Sequence, residues 1–122
     1  MSERKTKNNF ENILEHIRVV EERFAEIKDA NDFVKTNEGG ILLDAISIRL
    51  QAIGENVKKI NKRNPEIFHK HPSIDWENII QFRDFISHQY ELLNHEVIFN
   101  TCKVHIPKLK EVITSELKSL EK

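Results

Sequence analysis

One cysteine, one tryptophan, one tyrosine, three glycines and three prolines are all that these 122 residues contain of those types. A single thiol, Cys102, cannot close an internal disulfide and fits a reducing compartment. So little glycine and proline argues against a turn-rich sandwich or barrel. No apolar run exceeds three residues, as in Ile41-Leu42-Leu43, so no membrane-spanning segment is expected. No apolar stretch follows Met1-Ser2-Glu3-Arg4-Lys5, so a secretory leader is not expected either. Charge of neither sign dominates: 19 Lys and Arg face 20 Asp and Glu, a net -1. Bulk electrostatics therefore do not advertise a nucleic-acid binder. What the chain does have is a 39% apolar share, too high for disorder near neutrality. The expectation is one cytoplasmic domain over residues 1–122.

The first seven residues are polar and are expected to fray. Phe10, Ile13, Leu14, Ile17, Val20, Phe24 and Ile27 then recur in steps of three and four, one stripe of an amphipathic helix. That helix is predicted to end near Phe33 to Asn37, before Gly39-Gly40 breaks the chain. Ile46, Leu50, Ile53, Val57 and Ile60 mark a second helix over about 41–61. Pro65 opens a short turn at Glu66, Ile67 and Phe68. Asp75 is a plausible N-cap for a third long helix from Trp76, and Asn94 for another. Pro107 either kinks that last helix or starts a new one. Leu109, Val112, Ile113, Glu116, Leu117 and Leu120 are again helical in period. With no strand alternation, the fold class is all-α, an antiparallel bundle of four to five helices.

Charge is less even locally. Lys58, Lys59, Lys62, Arg63 and Lys70, with His69 and His71, face Glu66 alone between positions 58 and 71. Such a run is either a solvated helix end or a patch that contacts phosphates. His69-x-His71 lacks paired cysteines or a helical H-x3-H, so zinc is not expected. Gly39-Gly40 lacks the Lys and Ser/Thr of a P-loop. Cys102 has no basic helper nearby in sequence and reads as a small apolar residue.

The helix from Trp76 carries an odd pattern. On a helical wheel Arg83 falls about 40° from Ile79, on the side of the apolar stripe, with Tyr90 close to it. A guanidinium there costs several kcal/mol, roughly, unless a partner meets it. Arg83 therefore snorkels out, pairs with a carboxylate such as Glu91, or lines a polar cleft. His88 lies about 140° round from Arg83. The two meet only if the helix ends or bends near Ser87, or across a two-fold axis between two copies. Asp84 shares a face with His88 at i,i+4 and is placed to hold the imidazole in one tautomer. Taken singly, His88 reads as a surface or capping residue and Tyr90 as a packed ring.

Arg83-x4-His88-x-Tyr90 resembles the R-x4-H-x-Y motif of the HepT-like branch of HEPN domains. Ile53-Gly54-Glu55 with the basic residues after it, Pro65, the Ile-Asp-Trp76 entry and Val97-x9-Pro107-x-Leu109 follow that family's order. The resemblance spans roughly residues 10–117; Asp84 stands where many members carry Asn. It implies an all-α HEPN-like homodimer with metal-independent endoribonuclease activity, no cofactor, and RNA as substrate. It further implies a toxin whose nucleotidyltransferase antitoxin adds AMP to Tyr90. Arg83 and His88 would be catalytic and Asp84 orienting. Lys58, Lys59, Lys62, Arg63 and Lys70 are the candidates for RNA contact. The alternative is a non-catalytic helical subunit that binds a nucleotide or substrate for a nucleotidyltransferase.

Overall fold

A computed structural model describes residues 2–88 and 94–121, without the side chains of Ser2 and of residues 83–88. Helix α1 spans Ser2–Phe24, a 3-10 turn Ala30–Phe33, α2 Asn37–Arg63 and α3 Glu66–His69. Helix α4 spans Trp76–His88, α5 His95–Asn100, a π-helical segment Thr101–His105, and α6 Ile106–Leu120. No strand occurs among the described residues. The fold is all-α, as the periodicity predicts. Helix α1 packs on α2 and α6, α2 packs on α4, and α5 packs on the 3-10 turn. One core joins them, with Phe10, Ile13, Ile17, Ile46, Leu50, Ile53, Ile60, Ile98, Leu109 and Ile113 fully buried.

Three local expectations are corrected. The leader expected to fray is helical from Ser2, and Thr6 is only 2% exposed. Tertiary contact explains this: Thr6 Oγ1 donates to Asn64 Oδ1 at 2.7 Å and receives from Arg63 at 3.0 Å. The first helix also stops at Phe24 rather than near Phe33. Asp29 accepts from the Asn31 N–H, and Asp32 accepts from the N–H groups of Lys28 and Asp29. These local bonds offer the backbone an alternative to helix. Ile27 and Phe33 still reach the core, but from a turn.

Gly39-Gly40 does not break the chain; it lies in the first turns of α2, capped by Thr36 Oγ1 on the Gly39 N–H at 2.9 Å. Gly39 is required by proximity, since a Cβ there would collide with the Asp32 carbonyl oxygen. Its use is close approach, not chain reversal.

Of the two outcomes expected at Pro107, a kink or a new helix, the second holds: α6 begins at Ile106 with Pro107 in its first turn. In the π-helical segment the Ile106 N–H reaches back to the Thr101 carbonyl. The wider turn places Pro107 at the start of α6, where its missing N–H and its ring are tolerated.

Candidate functional site

Helix α4 is anchored at its N-terminal half. Asp75 Oδ1 accepts from the Asn78 N–H at 3.2 Å, as its capping role predicts. Trp76 Nε1 donates to the His71 carbonyl at 3.0 Å, and the Trp76 ring stacks on Phe68 with centroids 4.1 Å apart. Ile74, Trp76, Ile79 and Phe82 are buried. These contacts fix the axis on which Arg83, Asp84 and His88 follow.

The helix is continuous through Ser87 and is described as far as His88. A regular path keeps them about 140° apart and about 7.5 Å along the axis. Asp84 and His88 lie one turn apart on that path. The side chains of Arg83, Asp84 and His88 are not described, and Tyr90 lies outside the described residues.

The basic segment divides into two kinds of residue. Lys59 and Lys62 are exposed and Lys58 is half-buried, and no ion pair engages them among the described residues. Arg63 is engaged internally: its guanidinium donates to Thr6 Oγ1 and, at 2.9 Å, to Asn9 Oδ1. Lys70 Nζ lies 3.4 Å from Glu116, whose other contact is His71 Nε2 at 2.8 Å. Glu116 is buried, so the Lys70 ammonium and the hydrogen bond with His71 offset the cost of its charge. Its place on the apolar stripe of the last helix, three residues after Ile113, was a visible sign of such a role.

The polar contacts between α1 and α2 had no local sign. Asn9 Nδ2 donates to Asn56 Oδ1 at 2.9 Å, and Asn56 Nδ2 returns to the Ala52 carbonyl. Burial pushes the Cys102 thiol up to about 12, which suits packing and not nucleophilic chemistry. Among the described residues, no group of three or more His, Cys, Asp and Glu could hold a metal ion. No described helix is long and apolar enough to cross a membrane.

Residues 13–116 match the family model described as "Ribonuclease HepT-like". A protein of Caldanaerobacter subterraneus subsp. tengcongensis named "Putative RNase" is 34% identical over 110 residues, 87% of this chain and 92% of its own. "Probable ribonuclease HepT" of Thermococcus cleftensis is 33% identical over 108 residues, 88% of this chain and 91% of its own. A Methanocaldococcus jannaschii protein named "Gamma-glutamylcyclotransferase and putative RNase" is 31% identical over 110 residues. That match takes 90% of this chain but only 46% of the longer relative. No solved structure gives a significant match.

Proposed function

Because this chain belongs to the ribonuclease HepT-like family, we propose that it is a metal-independent endoribonuclease and the toxin of a toxin–antitoxin pair. The observation that carries the reading is the family match over residues 13–116, which includes the whole of α4 with Arg83, Asp84 and His88. RNA supplies its own nucleophile, the 2′-hydroxyl beside the scissile phosphate. A base removes that proton as the 2′-oxygen attacks phosphorus; an acid protonates the departing 5′-oxygen. The products are a 2′,3′-cyclic phosphate and a free 5′-hydroxyl. Histidine as a residue type can give or take a proton near neutrality, so His88 suits either task. Asp84, one turn before it, orients the ring. Arg83 offers a planar fork of donors to the phosphorane oxygens.

Arg83 and His88 lie on different sides of one helix, which favours a homodimer in which each copy supplies part of one site. Two His88 side chains would then provide the acid and the base. A nucleotidyltransferase antitoxin silences the enzyme by adding AMP to Tyr90, placing a bulky anion beside Arg83. Lys58, Lys59 and Lys62 contact the RNA backbone.

The test is expression of wild type and His88→Ala without a partner, scoring growth and RNA integrity. Toxicity and cleavage that vanish in His88→Ala support the reading. Intact RNA with measurable nucleotide affinity would replace it with a non-catalytic nucleotide-binding subunit. Tyr90→Phe should stay toxic and escape the antitoxin; modification at that position in the variant would exclude Tyr90 as the target.

A further inference from the structure

The helical segment expected to fray brings a second set of cations to the basic end of α2. Helices α1 and α2 run antiparallel there, with Thr6 against Asn64, Asn9 against Arg63 and Asn56, and Asn12 against Asn56. Lys5, Asn9 and Asn12 follow at i, i+4 and i+7, so Lys5 sits on the side of α1 that faces α2. On α2, Asn56, Lys59 and Arg63 follow at i, i+3 and i+7 along one face, with Lys62 beside them. The buried asparagine and arginine contacts therefore form the floor of a seam, and Lys5, Lys59 and Lys62 are exposed along its rim.

Some cations of the molecule are neutralised locally. Arg18, Lys35, Lys70 and Lys110 each pair with a carboxylate. Lys5, Lys59 and Lys62 pair with none among the described residues, although Glu55 stands one turn before Lys59. Among the described residues, the exposed large apolar side chains lie elsewhere, at Val34, Ile41, Ile48, Val97 and Val104. Tight protein interfaces centre on apolar or aromatic anchors, and stable membrane anchoring adds apolar insertion to basic charge. A phosphate backbone needs neither.

We propose that Lys5, Lys59 and Lys62 form a phosphate track along the α1–α2 seam that holds single-stranded RNA outside the reacting residues of α4. The proposal rests on the ribonuclease reading and adds the N-terminal helix to the substrate-binding surface. Arg63 is a strut of this track: it docks α1 through Thr6 and Asn9 instead of meeting RNA.

The experiment measures binding of a labelled single-stranded oligouridine across salt concentrations, in a His88→Ala background that prevents cleavage. Each lysine that meets a phosphate contributes a slope of about 0.7 for single strands. Lys5→Ala alone should flatten the log–log slope by that amount, and Lys5→Ala/Lys59→Ala/Lys62→Ala by about two. A control triple, Lys28→Ala/Lys108→Ala/Lys118→Ala, removes equal charge from other exposed positions and should leave the slope unchanged. An unchanged slope in Lys5→Ala, or an equal loss in the control, overturns the track. So does loss of binding to anionic vesicles or polyglutamate with RNA affinity intact. Wild type that fails to cut RNA would overturn the ribonuclease reading instead, a separate outcome.

Discussion

Two adjacent glycines on one helix turn should respond to alanine with opposite signs. At Gly39 an added Cβ meets the backbone carbonyl of Asp32, with the Asp32 and Phe33 carbonyl carbons at 3.0 and 3.1 Å. Backbone cannot rotate aside as a side chain does, so α2 must retreat from the 3-10 turn. Such overpacking costs about 1–3 kcal/mol. The retreat also stretches the Thr36 cap on the Gly39 N–H, worth about 1 kcal/mol. Against this stands a helix-propensity gain of about 1 kcal/mol. The net expectation for Gly39→Ala is a loss of about 1–3 kcal/mol. At Gly40 the nearest atom to a Cβ is the Phe33 oxygen at 4.0 Å, an ordinary contact. Gly40→Ala should keep the propensity gain and stabilise by about 0.5–1 kcal/mol. Urea unfolding followed by circular dichroism measures both, with midpoints moving apart at similar m-values. Gly39→Ala as stable as wild type would refute the close approach of α2 to the 3-10 turn.

Acid should weaken the fold through His16. Its Nδ1 lies 3.1 Å from the Arg49 guanidinium, and burial, then the Arg49 charge, hold its pKa below the ordinary 6.5. The unfolded chain binds the proton first as pH falls, so stability declines below about pH 6.5. His16→Gln should flatten that decline in a pH series of thermal melts; an identical pH dependence would exclude His16 as its source. With its thiol raised to about 12, Cys102 should resist iodoacetamide at pH 8 in the native protein and react fully in urea. Native labelling as fast as a free thiol would show that the π-helical segment opens readily.

Much of the fold was legible because helix burial is periodic. Phe10, Ile13, Ile17 and Val20 announced α1, and Ile46, Leu50, Ile53, Val57 and Ile60 announced α2; all are buried. Asp75 and Asn94 cap the helices they were expected to cap, because capping depends on a side chain and N–H groups two or three residues away. The spacing of Arg83, Asp84, His88 and Tyr90 is visible in the sequence, and the roles given to them belong to the proposal.

Partnership between distant residues was not legible. Nothing near Arg63 in sequence shows that it donates to Thr6 and Asn9, or that Lys70 meets Glu116. A lysine or arginine in a basic run looks equally free at every position until a second helix packs against it. Likewise Gly39 looked like a chain breaker until the Asp32 carbonyl was beside it. The pattern of side chains along the chain determined where helices form and which face is apolar, because those are local properties of the backbone period. Only tertiary packing decided which cations are engaged across a helix interface and which remain exposed, because that depends on what lies opposite them.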